Sequence, residues 1–273
     1  MRKVCIVISN LNIGGAELSM YKILFELKND FNFIIVSLSQ GGLLNKDLEK
    51  LGIKIYSLDF RNHFLKSVWR LYYVLKNEKP DVVHTWMYHS DLIGGILAKF
   101  ANIKFIIWGI RNTDLIKGTT VITRLIGIVN AVLSYFIPDK ILVVSNSSMI
   151  KHSKLKYCTR KMTVIPNGFS STKKISQKES ILFRAQLGFE PSSMLIGSVG
   201  RFNEYKDHRT FIEAALILLD LVEGTYNLNF LIIGKNVDNL FLINLIQGTP
   251  YVNRFHFFDE TNYINKYYSI LIA

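Results

Sequence analysis

The sequence predicts an α/β protein with two parallel-sheet domains, the second of which is incomplete. Short aliphatic runs alternate with helical patterns along the chain, and the connections between them are short. This alternation is typical of right-handed βαβ units, which build parallel sheets. The pattern stops after residue 168 and restarts near residue 191. We therefore assign residues 1–168 to an N-terminal domain, 169–190 to a linker and 191–273 to a partial C-terminal domain.

Nearly continuous aliphatic composition identifies the strands of the first domain, because strands buried on both faces of a sheet lack polar alternation. These strands are predicted at residues 4–9, 33–38, 53–58, 82–85, 105–109 and 140–144. Apolar residues at turn spacing predict the helices between them. The first such stripe consists of Leu18, Tyr21, Leu24 and Leu27, and further helices are predicted at residues 67–77, 92–101 and 121–136.

The second domain repeats the pattern over fewer residues. Strands are predicted at residues 194–199, 229–233 and 254–258, and helices at 208–222 and 239–246. Residues 264–273 combine a short helix with the start of another strand, and the sequence ends inside that strand signal. A parallel sheet needs cover on both faces. We therefore expect the apolar strand around 231–233 to lie partly uncovered and this half of the chain to be loosely folded.

Bulk composition excludes a disordered chain and leaves several partners open. Hydrophobic residues make up 49% of the chain and charged residues 20%, which suffices for a packed core. The net charge of +12 favours anionic lipid, phosphorylated ligands or nucleic acid, and a solvated basic surface explains it equally well. Cys5 and Cys158 have no metal-like spacing, and Cys5 lies in an apolar run, as a buried thiol would. This cysteine usage predicts a reducing, cytoplasmic setting.

We expect neither a secretory signal nor a membrane-spanning helix. The first nine residues are basic and then apolar, but the run is short and leads into a glycine loop. The apolar segment 121–137 is interrupted by Arg124 and Asn130, whereas a bilayer span needs about 20 apolar residues. This segment is therefore predicted to form a buried helix or a helix at a membrane surface.

Paired glycines follow the first strand and open a helix. Gly14 and Gly15 lie in residues 12–17, at a point where the backbone N–H groups of a helix N-terminus are able to approach a ligand. The spacing is not Gly-x-Gly-x-x-Gly, so a dinucleotide site is poorly supported. A purely structural turn remains the alternative.

Histidines and other polar residues follow two neighbouring strands of the first domain. His84 and His89 belong to the cluster at residues 84–91, and residues 111–114 follow the next strand. Open parallel sheets bind ligands at the carboxyl ends of their strands. Either histidine alone fits a structural role, but two such loops side by side favour a site. We therefore take His84 and His89 as candidate catalytic residues.

Cations flank the loop that follows the first strand of the second domain. The strand ends near Gly200, Arg201 and Lys206 follow it, and a helix begins close behind them. An arginine fork and a lysine point charge beside a helix N-terminus suit a diphosphate. Two surface cations on a turn are the alternative.

These segments together resemble the retaining GT-B glycosyltransferases of family 4, also called group 1 glycosyltransferases. The resemblance follows the family's order over nearly the whole chain, and the most specific part is the Gly-Arg…Lys-Asp block after Pro-Asn-Gly. The matching residues are Gly14-Gly15-Ala16-Glu17, Pro80-Asp81-Val82-Val83-His84, Val144-Ser145, Val164-Ile165-Pro166-Asn167-Gly168, Val199-Gly200-Arg201-Phe202 with Lys206-Asp207-His208, and Leu231-Ile232-Ile233-Gly234.

The resemblance implies a GT-B arrangement and a nucleotide diphosphate sugar as donor substrate, without a cofactor or a metal ion. It implies that Gly200, Arg201 and Lys206 hold the donor diphosphate, and that the Gly14–Gly15 loop lies against donor phosphate or acceptor. The acceptor would be a saccharide or a lipid-linked sugar, as in cell-surface polysaccharide synthesis. Such a protein would be cytoplasmic, peripherally bound to an anionic inner-membrane face, and would not bind nucleic acid.

One part of the family pattern is missing. The Glu-x7-Glu motif that usually holds the donor sugar and ribose lies beyond the end of this sequence, as does the C-terminal helix that crosses back to the first domain. This departure predicts a fragment, a truncated gene product or a frameshifted copy, and it leaves open whether this polypeptide is active. Two alternatives stay open: a GT-B-type nucleotide-sugar 2-epimerase, which should show additional carboxylates and histidines, and a non-catalytic fragment that binds a nucleotide or a partner.

Overall fold

A computed structural model describes residues 1–113, 115, 119–168, 175–222, 225–259, 261 and 264–271. The chain divides into two compact units, Met1–Phe169 and Ser170–Ala273. Each unit contains one sheet of parallel strands with helices between successive strands. The predicted α/β class with two parallel sheets is therefore confirmed.

The first unit contains a seven-stranded sheet in the order β3-β2-β1-β4-β5-β6-β7. The chain adds strands to one side of β1 and then crosses to the other side to form β4. That reversal is a topological switch point, and the carboxyl ends of the strands beside such a point form a ligand-binding crevice in open α/β sheets. The strands are β1 Arg2–Ile8, β2 Phe31–Ser37, β3 Lys54–Ser57, β4 Val82–Trp86, β5 Phe105–Ile110, β6 Lys140–Val143 and β7 Met162–Val164.

Helices cover both faces of this sheet and bury two separate cores. The helices are α1 Gly15–Leu27, α2 Asn45–Lys50, α3 Phe64–Glu78, α4 Tyr88–Phe100, α5 Val121–Leu133 and α6 Asn146–Lys154. Residues of α1 and α2 pack with β1 and β2 in one core. Residues of α3, α4 and α5 pack against the other face, around the fully buried Trp108. Cys5 is fully buried, as predicted, and neither it nor Cys158 forms a disulfide.

The first unit differs from the sequence prediction in its shorter or more polar elements. Helix α1 was predicted, but its buried side consists of Glu17, Met20 and Leu24. Of the apolar stripe that predicted it, Leu24 is buried and Tyr21 is partly buried against the core. Helices α2 and α6 and strand β7 were not predicted. The strand has three residues, α2 has six, and α6 is largely polar, so periodicity was weak in all of them.

The second unit contains a three-stranded parallel sheet in the order β10-β9-β8. Its strands are β8 Met194–Val199, β9 Leu228–Ile233 and β10 Phe255–Phe258, and its helices are α7 Gln177–Gln186, α8 His208–Val222, α9 Leu240–Ile246 and α10 Ile264–Ile270. Helix α7 lies inside the predicted linker. A capping box between Ser176 and Glu179 starts this helix. Arg184 Nη1 donates to the carbonyl oxygen of Ile270 at 3.2 Å, which ties α7 to α10.

The expectation that β9 is left uncovered is wrong. All six residues of β9 are buried. Leu231 and Ile233 pack against Phe189, Leu195 and Ile270, which come from a loop, the neighbouring strand and α10. The expected last strand near 270–273 is also not found over the described residues, because Ile270 ends α10, while residues 272 and 273 lie outside them.

Close packing of α4 on β5 predicts the effect of a single methyl group at Gly95. A Cβ atom there would lie 2.5 Å from Nε1 of the buried Trp108, closer than real contacts allow. Overpacking of this kind costs about 1–3 kcal/mol, and the better helix propensity of alanine offsets about 1 kcal/mol of it. We expect Gly95→Ala to lower the free energy of unfolding in urea. Gly15→Ala, where a Cβ meets nothing within 4 Å, is the matched control and should not lower it.

Candidate active site

The most specific motif of the sequence forms a tight loop where β8 ends. Gly200 donates its backbone N–H to the carbonyl oxygen of Ile233 at 2.8 Å, which holds the loop against the end of β9. Its φ of +156° is unfavourable for other residues. A Cβ atom on Gly200 would lie 2.6 Å from Cε of Lys206, so the lysine stem lies across the glycine. Glycine at position 200 therefore makes room for this lysine.

A buried histidine fixes the shape of this loop. His208 is 1% exposed and begins α8, as predicted. Its Nε2 lies 3.0 Å from the carbonyl oxygen of Gly200, and its Nδ1 lies 3.2 Å from Oγ of Ser198. The carbonyl only accepts, so the geometry assigns the proton to Nε2. His208 thus joins the end of β8 to the start of α8.

Three exposed cations lie on the loops at this edge of the second sheet. Arg201 and Lys206 were predicted, and Lys235 joins them because its carbonyl oxygen accepts the N–H of Phe202 at 2.9 Å. None of the three forms an ion pair with a carboxylate in the described part of the chain. Unpaired cations beside a strand end and a helix N-terminus suit an anion with several charges, such as a diphosphate. Sequence reasoning missed Lys235, although it directly follows the matched Gly234.

The predicted glycine pair of the first unit lies at the N-terminus of α1. Gly14 precedes the helix and Gly15 is its first residue, and no side chain caps this end. A Cβ on Gly15 would meet nothing within 4 Å, whereas one on Gly14 would collide with the carboxylate of the buried Glu17. The helix N-terminus is therefore open at Gly15 and closely packed at Gly14.

His84 and Arg111 lie together at the carboxyl end of the first sheet. The guanidinium of Arg111 stacks 3.6 Å from the ring centroid of Trp86, and its Nη1 donates to Oδ1 of Asn167 at 3.1 Å. Ser19 of α1 donates to the same Asn167 oxygen at 3.4 Å. Residues far apart in sequence thus meet at this edge.

The environment of His84 keeps its ring neutral. Burial, and then the positive charge of Arg111, lower the pKa of His84 to about 3. The ring lines an apolar cavity of ≈ 280 Å³ beside α1, and its Nε2 is shut off from solvent without a hydrogen-bond partner among the described residues. A histidine with this pKa does not supply a proton at neutral pH.

His89 occupies a different environment from His84. The sequence placed it in a loop, but α4 begins at Tyr88, so His89 belongs to the first helical turn. Its side chain is partly exposed, and burial lowers the pKa of its ring. Met87, which joins β4 to α4, has a φ of +72°, a strained value for this residue. Strain of this kind clusters at functional sites, which favours this turn. Asp114, the last residue of the predicted polar loop at 111–114, lies outside the described residues.

Asp91 is a buried carboxylic acid below the same turn. Thr85 Oγ1 donates to Asp91 Oδ1 at 2.5 Å, and the N–H of Asp91 donates to the carbonyl oxygen of Met87 at 2.9 Å. Burial raises the pKa of Asp91 to about 7, despite the opposing effects of the Thr85 hydrogen bond and the charge of Arg111. This burial was not predictable from the sequence, because an aspartate in a first helical turn ordinarily faces solvent.

The described residues contain neither a metal-binding cluster nor a membrane-spanning helix. No group of three histidine, cysteine, aspartate or glutamate side chains in this part of the chain lies close enough to hold a metal ion. None of its helices has the length and apolar character that crossing a bilayer demands.

Two α/β units, each with one sheet of parallel strands, match the GT-B fold of solved glycosyltransferase structures. The chain belongs to Glycosyltransferase Family 4, because the model of that family matches residues 13–173, more than half of the chain.

Individual relatives agree with this assignment. The Staphylococcus aureus protein called capsular polysaccharide biosynthesis glycosyltransferase CapH is 28% identical over 228 residues, and the match covers 82% of this chain. The chain spans 58% of the length of that relative. The structure of Anabaena Alr3699/HepE in complex with UDP-glucose gives a TM-score of 0.81 at 16% identity, covering 99% of this chain and 72% of that one.

A UDP-N-acetylglucosamine 2-epimerase from Rickettsia bellii also has a similar fold. Its TM-score is 0.50 at 15% identity, covering 97% of this chain and 71% of that one. Identity at this level shows the fold alone. The family match therefore favours the transferase over the epimerase alternative.

The raised pKa of Asp91 predicts how stability depends on pH. The folded protein keeps this proton up to about pH 7, whereas the unfolded chain releases it near pH 4. The folded state therefore binds more protons between these values, and the contribution of Asp91 to the free energy of unfolding falls as pH rises through this range. Asp91→Asn keeps an acceptor for Thr85 and cannot ionise. We expect urea unfolding to show the variant gaining stability relative to wild type from pH 4 to pH 7.5. Parallel stability curves would contradict the assignment.

Proposed function

We propose that this chain transfers a sugar from a nucleotide diphosphate sugar to a saccharide or lipid-linked acceptor, with retention at the anomeric carbon, in cell-surface polysaccharide synthesis. The observation that carries the proposal is the loop of Gly200, Arg201 and Lys206. Its exposed cations lie beside a strand end and a helix N-terminus and have no ion-pair partner among the described residues. The comparison with UDP-glucose-bound HepE supports a nucleotide-sugar donor.

The second unit would hold the donor diphosphate. Breaking the bond between the sugar and the diphosphate leaves negative charge on the departing phosphate. Arg201 and Lys206 neutralise this charge in our proposal, and Lys235 adds a third positive charge at the same edge. The sugar is carried by the donor itself, and we propose no bound cofactor. Catalysis then consists of positioning the reactants and stabilising the leaving group.

The first unit would supply the acceptor contacts and help to orient the donor sugar. The helix N-terminus is open at Gly15, where a phosphate or a hydroxyl group has room to approach it. His89 is the better candidate for a residue that touches a substrate, because its ring is partly exposed. His84 would instead position Arg111 and Trp86 in its neutral form.

We further propose a cytoplasmic protein that binds peripherally to an anionic membrane. Lipid-linked acceptors lie at such a surface, and the net charge of +12 attracts the protein to it. We expect no nucleic-acid partner.

Removal of either predicted cation should weaken the grip on the diphosphate. We expect Arg201→Ala and Lys206→Ala each to lower turnover of UDP-glucose, measured by UDP release, by roughly 10². Calorimetry should show weaker binding of UDP and unchanged binding of uridine, which lacks the diphosphate. Arg209→Ala is the control, because Arg209 pairs with Glu213 at 2.7 Å on α8 and should leave both values unchanged. Wild-type turnover in both test variants would exclude this role.

Substitution of each histidine should distinguish the two proposed roles, which are substrate contact for His89 and positioning of Arg111 and Trp86 for His84. We expect His89→Ala to lower UDP release from UDP-glucose by about 10² through misplacement of the reactants, with little change in stability. His84→Ala should lower the free energy of unfolding by about 0.5–3 kcal/mol, because its ring packs against Trp86. A destabilised His89→Ala variant with normal turnover would reverse these assignments.

A further inference from the structure

Helix α5 turns an apolar side away from the protein. We call this side the α5 apolar face, and its side chains are between 46% and 69% exposed: Val121, Ile122, Leu125, Ile128, Val129 and Val132. At 3.6 residues per turn they occupy about 120° of the helix circumference. Phe136, which is 71% exposed, follows directly after the helix. A continuous apolar surface of this kind marks an interaction site.

The orientation of α5 is fixed by hydrogen bonds on its other side. Asn130 is fully buried, and its Nδ2 donates to the carbonyl oxygen of Tyr88 at 2.9 Å. The hydroxyl of Tyr157 donates to the carbonyl oxygen of Gly127 at 2.9 Å. Rotation of the helix to bury its large apolar residues would break both bonds. The α5 apolar face therefore points outward because the opposite side, with Gly127, Asn130 and Ala131, is held inside.

A strongly basic segment packs against the C-terminal end of this helix. Lys161 Nζ donates to the carbonyl oxygen of Tyr135 at 2.7 Å, and the N–H of Cys158 donates to Oγ of Ser134 at 2.8 Å. These contacts place Arg160 beside the helix end, and it is exposed. Lys154 and Lys156, also exposed, precede the same segment. The sequence from 140 to 178 contains no aspartate or glutamate. Among the described residues, none of these cations forms an ion pair with a carboxylate.

We propose that the α5 apolar face inserts into the surface of an anionic membrane, with Lys154, Lys156, Arg160 and Lys161 on the lipid headgroups. A helix lying in the interface buries its apolar face at the boundary between headgroups and acyl chains and places its cations among the headgroups. The charge favours anionic lipid over a second copy of this chain, because two copies joined through this face would bring like charges together. The inference rests on the proposed function in one respect: membrane binding would bring the protein to a lipid-linked acceptor.

Vesicle flotation of the full chain tests the proposal. We expect binding to vesicles of phosphatidylcholine with phosphatidylglycerol, little binding to phosphatidylcholine alone, and release at high salt. Leu125→Ser/Val129→Ser/Val132→Ser should lower binding to the anionic vesicles at least tenfold. The triple variant Lys154→Gln/Lys156→Gln/Arg160→Gln does not change any residue of α5. It should abolish the preference for anionic over neutral vesicles. All six side chains are exposed, so the fold should persist.

A matched control removes exposed apolar residues elsewhere. Ile217→Ser/Leu221→Ser acts on α8, where these residues are 61% and 76% exposed, and should leave flotation unchanged. Equal binding by wild type and both test variants would overturn the proposal. The proposal would also be overturned by a different result in sedimentation. In that result, wild type is a dimer, only the serine variant of α5 is a monomer, and this variant still binds vesicles normally. UDP binding by the same variants separates the two proposals, since vesicle binding requires no donor and donor binding requires no vesicle.

Discussion

The parallel direction of all strands is the constraint on which both candidate sites depend. In a parallel sheet every strand ends at the same edge, so residues that follow different strands are brought together there. In the first unit this edge joins Arg111 after β5 with Asn167 after β7 and Ser19 in α1. In the second it joins Gly200 after β8 to β9 through a backbone hydrogen bond.

Much of the fold and the local motifs were predictable from sequence because their signals are short-range. Alternating patterns gave the βαβ units, and the Gly200–Lys206 loop was found because strand end, cations and helix start are contiguous. The pairing of Arg111 with Asn167 was not predictable, since it depends on β6 lying between β5 and β7. The raised pKa of Asp91 likewise depends on burial by distant residues.

The errors have physical causes as well. The apolar pattern of β9 indicates a strand that needs cover, but it does not show what supplies that cover. Phe189 and Ile270 supply part of it. The predicted linker is rich in serine and lysine, which concealed the capping box of Ser176 and Glu179 at the start of α7. The composition of the whole segment predicted a linker, whereas the contact between Ser176 and Glu179 starts a helix within it.

Helix α5 shows why an amphipathic pattern does not by itself say which side faces inward. Its apolar residues are consistent with a core helix, yet Asn130 anchors the opposite side of the helix within the protein. The acceptor of that hydrogen bond is Tyr88, the first residue of α4, next to His89 and to the strained Met87. One hydrogen bond therefore links the helix that we place in the membrane surface to the turn that we place at the acceptor. A lipid-linked substrate requires both at once, and the fold provides them on adjoining helices.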